Sequence, residues 1–392
     1  MAITVGVVRE TLSGERRVAL TPRVCEALGG QGMTAMVEHG AGEAAGYPDY
    51  DYAARGIRLA ARADVFKESA ILVQVRTPGA NQGGAAAQDL AQYRAGQVVI
   101  GLGEPLTSVT ENQAMATAGT TFFALELVPR ITRAQSMDVL SSMANLAGYK
   151  AALMAASALP KVLPMMTTAA GTVSPAKALV LGAGVAGLQA IATLRRLGAV
   201  VSGYDVRAAA KEQIESLGAR CLTLDLQAAE GTGGYAQAMD EDFYRRQRDL
   251  LTAALREQDI VITTAAVPGK RAPILITAGM AAGLAPGSVI LDLAAERGGN
   301  CELTRPGETV IQNGVQIAGP VNVPSLVLFH ASQMYAANIA AFLKVIVVKG
   351  QFKIDIADEI VRETLVAREG RVVQERLQPA AGVGERVSVE VA

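Results

Sequence analysis

Three glycines within residues 178–190, ALVLGAGVAGLQA, have the spacing of a phosphate-binding turn. They form the pattern GxGxxG between a β-rich segment, KALVL, and a helical one, LQAIATLRRLG. In such a turn the first glycine permits the tight bend, the second lets backbone approach a pyrophosphate, and the third lets helix and strand pack closely. The helix N-terminus then faces the negative charge. The pattern predicts a dinucleotide site at Gly182, Ala183, Gly184, Val185, Ala186 and Gly187.

An acidic residue ends the next predicted strand, VVSGYDV. Asp205 follows the glycines by roughly 20 residues, which is the spacing of a ribose-binding acid. A carboxylate there hydrogen-bonds a 2′-hydroxyl and repels a 2′-phosphate, so we expect NAD(H) to be preferred over NADP(H), with Val206 beside the ribose. Two alternatives stay open. Asp205 would merely cap a turn, or Arg207 would accept a 2′-phosphate.

Two later segments resemble further strands of the same sheet. They are ITTAAVPGKRAPILIT, residues 262–277, and SVILDLAAERGGN, residues 288–300. Ligands of open α/β sheets bind at the carboxyl ends of the strands, so the loop after the first of these segments is a candidate nicotinamide pocket. For each residue there, packing is an equal alternative. The candidates are Ala265, Val267 and Pro268.

Composition excludes several classes of function. The 392 residues carry a formal net charge of −1 and only 19% charged side chains, with no long basic run, so we expect no nucleic-acid partner. Cys25, Cys221 and Cys301 lie far apart without CxxC spacing, which predicts a reducing compartment and no zinc or other metal site. The N-terminus lacks the apolar core of a signal peptide. Stretches such as 334–348 are too short or too charged for the roughly 20 residues of a membrane span.

Alternating apolar runs and helical periodicity predict an α/β fold of two Rossmann-like, doubly wound parallel-sheet domains joined by long helices. The linking helices are expected over 136–159, before the breaker-rich LPMMTTAAGTVSPAK, and over 325 to about 343. The second helix returns the chain to the first domain, which is therefore discontinuous. We predict a first domain of 1–135 and 325–392 and a dinucleotide-binding domain of 136–324. Strands are expected at 3–10, 34–37, 70–75, 97–101, 121–126, 178–182, 199–204, 220–224, 259–263, 288–293 and 315–318.

The segments LVPRITRAQSMDVLSSMANLAGYKA, residues 127–151, and AAGTVSPAKALVLGAGVAGLQAIATLRRLGA, residues 169–199, carry a family resemblance. The chain closely resembles the soluble NAD(H)-binding component of proton-translocating NAD(P) transhydrogenase. The similarity extends over residues 1 to about 380. It includes RRVALTP, DVRAAAKEQIESLGA, GTGGYAQAM, PGKRAPILIT, DLAAERGGN and NVPS. Alanine dehydrogenase shares the fold and several of these motifs and is the main competitor.

The resemblance implies a hydride-transfer site at Arg130, Gln135 and Asp138, with Ser141 nearby. Gln135 offers a donor and an acceptor to a nicotinamide carboxamide, and Arg130 with Asp138 would position a nicotinamide ring. The alternative to a catalytic role is a structural one, in which the segment begins a helix and Asp138 lies at the positive end of the helix dipole. The resemblance also implies that the glycine-rich loop 230–239 closes over nucleotide with Tyr235 near the cofactor. An exposed linker is the alternative.

The implied function is transfer of a hydride from NADH to NADP⁺ held by a partner subunit. The family implies a homodimer that NADP-binding and membrane-spanning subunits hold at the cytoplasmic face of the membrane. The alternatives are an alanine dehydrogenase-like oxidoreductase and a non-catalytic NAD-binding module.

Amino-acid oxidation needs a cation for the substrate carboxylate and a proton acceptor. Where the resemblance to alanine dehydrogenases implies a lysine, a histidine and an aspartate, this chain has Arg76, Gly103 and Glu296. These three replacements argue against alanine oxidation. Arg17 is the one substrate-binding residue retained, and a contact within the fold is its alternative role.

Overall fold

The structure, a computed structural model, describes residues 2–223, 241–267 and 269–377, with the backbone alone for 241–244. The strands in chain order are β1 Ile3–Val7, β2 Met33–Glu38, β3 Arg58–Ala60, β4 Ile71–Arg76, β5 Val98–Leu102, β6 Thr121–Ala124, β7 Met166–Thr168, β8 Gly171–Val173, β9 Lys177–Leu181, β10 Val200–Tyr204, β11 Arg220–Leu222, β12 Ile260–Thr263, β13 Val289–Asp292, β14 Thr309–Gln312, β15 Val315–Ala318, β16 Val347–Val348, β17 Gln351–Phe352, β18 Leu365–Arg368 and β19 Arg371–Val372.

The helices alternate with the strands through most of the chain. They are α1 Pro22–Ala27, α2 Asp49–Ala53, α3 Arg62–Glu68, α4 Ala86–Leu90, α5 Val109–Thr117, α6 Val139–Ala158, α7 Val185–Arg196, α8 Ala210–Ser216, α9 Glu241–Leu255, α10 Ala278–Ala282, α11 Leu328–Ile346 and α12 Glu359–Thr364.

The chain divides into two α/β units. The second unit is Val139–Met334, and the first unit consists of the described residues before Val139 and from Tyr335 onward. The first unit is therefore formed by two separate stretches of the chain. The sequence analysis placed the domain boundaries at 135/136 and 324/325, and these boundaries stay a prediction. The two structural units divide at 138/139 and 334/335.

The first unit contains an eight-stranded sheet in the order β19-β18-β6-β5-β4-β1-β2-β3. Strands β1 to β6 pair in parallel, because each buried apolar run is followed by a crossover that returns the chain in the same direction. Strands β18 and β19 are antiparallel additions at one edge. The sheet is therefore mixed at this edge. The sequence patterns did not predict these two antiparallel strands.

The second unit contains a seven-stranded sheet in the order β11-β10-β9-β12-β13-β15-β14. Among the described strands of this sheet, β14 alone is antiparallel. From β9 the chain first adds β10 on one side and later β12 on the other, so the topological switch point lies at β9. Ligands of doubly wound sheets bind beyond the carboxyl ends of the strands at such a point.

Both linking helices begin later than predicted. The expected helix over 136–159 is α6, Val139–Ala158, because Thr132–Met137 form a 3₁₀ helix and Asp138 has a non-helical ψ of 90°. The expected helix from 325 is α11, Leu328–Ile346, because Val323–Val327 are also 3₁₀. In each case a tighter turn precedes the α-helix, and hydrophobic periodicity alone does not distinguish the two.

One segment of the described chain, Val323–Ile346, is long and apolar enough to cross a membrane by length and composition. Within the first unit, its later portion behaves as a core helix. Tyr335 donates a hydrogen bond to the Gln74 carbonyl at 2.9 Å, and Phe342 packs edge-to-face on Phe123 with ring centroids 5.3 Å apart. Apolar side chains of this later portion therefore pack in the core of the first unit.

Three hairpins that the sequence patterns did not predict close on two-residue turns. Both central residues have positive φ in Asn313-Gly314, Lys349-Gly350 and Glu369-Gly370. This is the backbone of a type I′ turn, whose twist matches that of the flanking strands. A fourth hairpin, β7–β8, lies in the breaker-rich segment 163–177, where no strand was expected.

Candidate functional site

The turn between β9 and α7 has the geometry that its glycines require. Gly182 has φ +99°, and its N–H donates to the Tyr204 carbonyl of β10 at 2.8 Å. A Cβ added to Gly187 would lie 1.8 Å from the Gly182 carbonyl oxygen, whereas one added to Gly184 would meet no heavy atom within 4 Å. The first and third glycines are therefore fixed by backbone conformation and contact, and the second faces open space that a ligand can enter.

Helix α7 presents its N-terminus at the same turn. Gly184 is the N-cap, no side chain caps the helix among the described residues, and Gly184 and Val185 are exposed. The first-turn N–H groups of a helix have no intrahelical acceptors, and the helix dipole adds a partial positive charge there. The turn and helix thus form a cradle that fits a pyrophosphate, with Ala183 and Gly187 buried beneath it.

Asp205 lies directly after β10 and contacts this turn. Its carboxylate accepts a 2.7 Å hydrogen bond from the Ala183 N–H. The Arg207 guanidinium donates to both carboxylate oxygens at 2.9 Å. Burial opposes ionisation of Asp205, but these hydrogen bonds outweigh it and hold its pKa below the usual value. The acid is therefore ionised at neutral pH and fixed at the glycine turn, with Val206 half-buried next to it.

The loop after β12 is tied to the glycine turn by side chains that the sequence did not single out. The Thr264 hydroxyl donates to the Gly182 carbonyl at 3.0 Å. Asn300 accepts from the Ala265 N–H at 3.0 Å and donates to the Ala265 carbonyl at 2.8 Å. A second Asn300 donor bonds the Pro273 carbonyl at 2.8 Å. Asn300 therefore fixes both backbone groups of a residue predicted to line the nicotinamide pocket.

Asp292 holds the loop from which Asn300 projects. This fully buried carboxylate ends β13 and accepts from the hydroxyls of Thr263 and Thr304 at 2.8 and 2.7 Å. It also accepts from the Asn300 N–H at 2.7 Å. A buried carboxylate is tolerated only with such a full set of donors. The sequence signal was available, since an acid at the end of a buried strand precedes the GGN segment, but it does not identify the bonding partners. Backbone N–H groups of Ala294 and Cys301 complete the set.

The segment predicted for hydride transfer lies at the end of the first unit's N-terminal stretch. Arg130 and Gln135 are exposed and Asp138 is half-buried. The segment is anchored because Asn338 donates to the Ser136 carbonyl at 2.8 Å. Ser141 is half-buried in α6 of the second unit. The roles expected for these four residues stay predictions.

The remaining predicted site residues fall into two groups. Ala265 and Val267 are half-buried in the loop after β12. Tyr235 and Pro268 lie outside the described residues, so their predicted roles stay predictions.

Gly103, the position at which the resemblance to alanine dehydrogenases implies a histidine, has no room for a side chain. A Cβ on Gly103 would lie 2.5 Å from the Phe122 ring and 2.8 Å from the Thr77 hydroxyl. The Gly103 N–H donates to Glu126 at 2.7 Å. A histidine therefore cannot occupy this position without displacing its neighbours.

The two arginines at positions compared with alanine dehydrogenase, Arg17 and Arg76, both form ion pairs with Glu15. Arg17 is buried and donates to Glu15 at 2.6 and 2.8 Å, and Arg76 donates to the same carboxylate at 2.9 Å. Burial alone would raise the pKa of Glu15, but the two guanidinium groups hold it at about 2. The third replaced position, Glu296, accepts a hydrogen bond from the Asn322 N–H at 3.2 Å.

Two family models match the chain along almost its whole length. The alanine dehydrogenase/PNT N-terminal domain matches residues 6–147, and the alanine dehydrogenase/PNT C-terminal domain matches residues 151–375. The chain belongs to the alanine dehydrogenase/PNT family. Both of its units therefore have relatives within this one family.

Within the alanine dehydrogenase/PNT family, the chain is more similar to transhydrogenase subunits than to the alanine dehydrogenase compared with it. It is 44% identical to the first polypeptide of the NAD(P) transhydrogenase alpha subunit of Rhodospirillum rubrum, over 95% of this chain and 98% of that protein. The solved transhydrogenase structure from Sinorhizobium meliloti superposes with a TM-score of 0.86 at 44% identity, covering 94% of this chain and all of the other. Alanine dehydrogenase of Halomonas elongata is 28% identical over 97% of each chain. These findings confirm the predicted resemblance and the α/β fold.

Proposed function

We propose that this chain is the NAD(H)-binding subunit of a proton-translocating NAD(P) transhydrogenase and passes hydride from NADH to NADP⁺ on a partner subunit. The observation that carries the nucleotide-binding claim is the contact between the Asp205 carboxylate and the glycine turn, 2.7 Å from the Ala183 N–H. A carboxylate at this place accepts ribose hydroxyls and repels a 2′-phosphate, which favours NAD(H). The identity to transhydrogenase subunits supports the choice of reaction.

The residues of the second unit would hold the cofactor, which supplies the hydride when bound. The open N-terminus of α7 and the face of Gly184 bind the pyrophosphate, and Asp205 binds the adenine ribose. Ala265, held by Asn300, supports the nicotinamide end, with Val267 and Pro268 nearby. The resemblance implies that Tyr235, in the glycine-rich segment 230–239, is close to the bound nucleotide.

The residues 130–141 would orient the reacting ring. The Gln135 amide offers the carboxamide both a donor and an acceptor. Arg130 and Asp138, with Ser141, position the donor or acceptor nicotinamide. In direct transfer, a hydride moves from C4 of one nicotinamide ring to C4 of the other, and no proton is transferred. These residues therefore need not include an acid or a base.

The positions compared with alanine dehydrogenase form no acid–base pair among the described residues, which favours transhydrogenation over alanine oxidation. The histidine position is closed at Gly103, and Arg17 and Arg76 are paired with Glu15. Two other functions compete with this proposal. They are alanine oxidation and a non-catalytic NAD-binding module. We also propose that the chain forms a homodimer and is held at the cytoplasmic face of a membrane by NADP-binding and membrane-spanning partner subunits.

The test is a reconstitution with a transhydrogenase NADP-binding component, NADPH and an NAD analogue. Reduction of the analogue that requires both proteins supports the proposal. Gln135→Ala should reduce that rate at least about tenfold, the loss of more than about 1.4 kcal/mol of transition-state stabilisation. The matched control Gln113→Ala, an exposed glutamine on α5 of the same unit, should leave it unchanged.

Other outcomes would contradict the proposal. NADH oxidation with pyruvate and ammonium would favour the alanine dehydrogenase reaction. NADH binding without either activity would favour the binding module.

A further inference from the structure

A cavity of about 420 Å³ opens in the first unit, at the amino ends of its parallel strands. Residues 30–32, which directly precede β2, line it together with Lys344 of α11 and residues 347–349. Ligands of open α/β sheets bind at the carboxyl ends of the strands, so this cavity lies at the opposite edge. Its volume is within the roughly 300–1,000 Å³ of small-molecule sites. The cavity is therefore large enough for a ligand, and the proposed function gives its residues no role.

Backbone contacts hold the two sides of the cavity together. A Cβ added to Gly32 would lie 2.8 Å from the Cα of Gly350, so the turn of β16–β17 packs directly on the loop before β2. The Lys353 N–H donates to the Ile346 carbonyl at 2.7 Å, which ties the hairpin to the end of α11. The Gly32 carbonyl accepts from the Ile3 N–H at 3.3 Å. The cavity is therefore formed by fixed backbone.

Two lysines are the charged residues of the described cavity lining. Lys344 and Lys349 are exposed, and neither forms an ion pair or a side-chain hydrogen bond with another residue that the structure describes. The described lining includes no acid, although the chain as a whole has a net charge of −1. A concave surface with charge of one sign raises the local concentration of the opposite ion. The cavity therefore attracts anions.

The backbone at Lys349 favours a different residue. Lys349 has φ +52° and Gly350 has φ +71°, and asparagine is the usual residue at the first of these two turn positions. Residues held in unfavourable conformations cluster at sites that bind ligands. Lys344 has a structural reason, since a cation in the last turn of α11 offsets the negative end of the helix dipole. The turn gives Lys349 no such reason, so Lys349 points most directly to a ligand.

Gln31 supplies the cavity with an acceptor that lacks a donor. This half-buried residue is part of the lining, and its Oε1 is buried with no hydrogen-bond partner among the described residues. A buried acceptor without a donor costs stability and calls for a partner. The amide has to rotate toward the cavity to reach a ligand, because Oε1 is covered in this conformation. A ligand hydroxyl could then donate to it.

We propose that the cavity binds a phosphorylated polyol, a small molecule that carries a phosphate group and free hydroxyls. Lys344 and Lys349 bind the phosphate, because the charge of about −1.5 to −2 on a phosphate monoester at pH 7 matches two cations. A ligand hydroxyl donates to Gln31, and the exposed Val348 contacts the carbon chain. A free polyol phosphate and the glycerol headgroup of an anionic lipid share this chemistry. The site goes beyond the proposed function and takes no part in hydride transfer.

The test is titration of the full chain with glycerol phosphate, followed by phosphorus NMR in the presence of saturating NADH. The NADH fills the pyrophosphate cradle of the second unit, so that glycerol phosphate cannot bind there. Lys349→Asn should weaken binding by about fivefold or more, which corresponds to about 1 kcal/mol for one ion pair in water. The matched control Lys353→Asn makes the same chemical change outside the cavity. It should leave the dissociation constant within about twofold, because salt screens exposed charges outside the site.

Ethyl phosphate, which lacks the free hydroxyls, tests the role of Gln31. The wild type should bind glycerol phosphate about two- to tenfold more tightly than ethyl phosphate, the range expected for one hydrogen bond. Gln31→Met removes the acceptor and should bind the two compounds equally. Thermal unfolding establishes that each variant is folded, and Lys349→Asn should be at least as stable as the wild type because asparagine suits the turn. Equal binding of both compounds by the wild type would overturn the role of Gln31.

Vesicles identify the source of the phosphate. Cosedimentation with phosphatidylglycerol vesicles but not phosphatidylcholine vesicles, lost in Lys349→Asn and retained in Lys353→Asn, would identify a lipid headgroup. Binding of glycerol phosphate without vesicle binding would identify a free polyol phosphate. A wild type that binds neither would overturn the proposal, and so would equal binding by Lys349→Asn and Lys353→Asn. The lysine variants locate the binding whether or not NADH binds, so this test is independent of the proposed function.

Discussion

The carboxylate of Asp205 combines a structural contact with the ligand contact we assign to it. It holds the glycine turn through Ala183 and is itself held by Arg207. We expect Asp205→Ala to weaken NADH binding by about 10- to 100-fold, since hydrogen bonds to a charged group contribute about 1.5–3 kcal/mol each. NADPH binding should weaken less, because the repulsion of the 2′-phosphate is removed. Fluorescence titration with both nucleotides measures this, and unchanged affinity for both would refute the role.

Asn300 positions the loop after β12 through three hydrogen bonds to backbone groups of Ala265 and Pro273. Asn300→Ala leaves these groups unsatisfied and should lower the free energy of unfolding by about 2–4 kcal/mol. If Ala265 supports the nicotinamide, NADH affinity should fall while affinity for ADP-ribose, which lacks nicotinamide, is retained. The control Thr304→Val removes a donor to Asp292 without touching Ala265. It should destabilise the chain without this split between ligands.

Glu126 links stability to pH in the first unit. Its Oε1 accepts from the N–H groups of Gly103 and Glu104 at 2.7 Å, while its Oε2 is buried and makes no hydrogen bond among the described residues. Burial raises its pKa from 4.5 to about 7. A raised carboxyl pKa favours folding below about pH 4.5 and loses that contribution as the pH rises through about 7.

The corresponding variant is Glu126→Gln. Between about pH 5 and pH 8 the free energy of unfolding should decrease less in Glu126→Gln than in the wild type, by up to about 3 kcal/mol. Denaturant titration at several pH values measures the difference. Parallel pH profiles for the two proteins would show that Glu126 is ionised throughout.

At the scale of residues, the sequence predicted those features of the site that lie close together along the chain. Turn glycines and the acid that follows have a fixed spacing, because a strand, turn and helix separate them. Asn300 and Thr264 were missed because their partners are backbone groups in other loops, and no spacing encodes those contacts. Gly103 indicated a missing histidine, but only the structure shows that the position is closed by Phe122 and Thr77.

At the scale of elements, buried apolar runs predicted the central parallel strands, and the missed strands are short or polar. Strands β16, β17 and β19 have two residues each, too few for a clear period. Strand β14 is mostly exposed and β3 begins with an exposed arginine, so neither forms a buried apolar run. The hairpin β7–β8 was missed for another reason. Its exposed strands bury no face in the second unit, so their apolar residues show no alternation.

The turn of β16–β17 contains an unfavourable residue. Lys349 has φ +52°, a left-handed conformation that costs a residue with a Cβ about 1–2 kcal/mol, less for asparagine. We expect Lys349→Asn to increase the free energy of unfolding by about 0.5–1 kcal/mol. Lys353→Asn, which makes the same chemical change outside the turn, is the control. Equal effects of both on thermal unfolding would exclude a backbone cause.

At the scale of the whole molecule, the second unit carries the glycine turn, the N-terminus of α7 and Asp205, to which we assign dinucleotide binding, and the first unit carries most of the segment assigned to hydride transfer. The chain has the two α/β units of its family, but its histidine position is closed and its substrate-type arginines are paired with Glu15. We therefore expect the isolated chain to bind NADH and to show little turnover with pyruvate and ammonium.

The central claim is direct transfer between two nicotinamide rings. It is tested by supplying NADH with deuterium at both C4 positions to the chain together with a transhydrogenase NADP-binding component and NADP⁺, in ordinary water. The account predicts that deuterium is recovered in NADPH and that none is lost to solvent, as mass spectrometry would measure. NADPH without the label, or label recovered only in alanine after addition of pyruvate and ammonium, would contradict it.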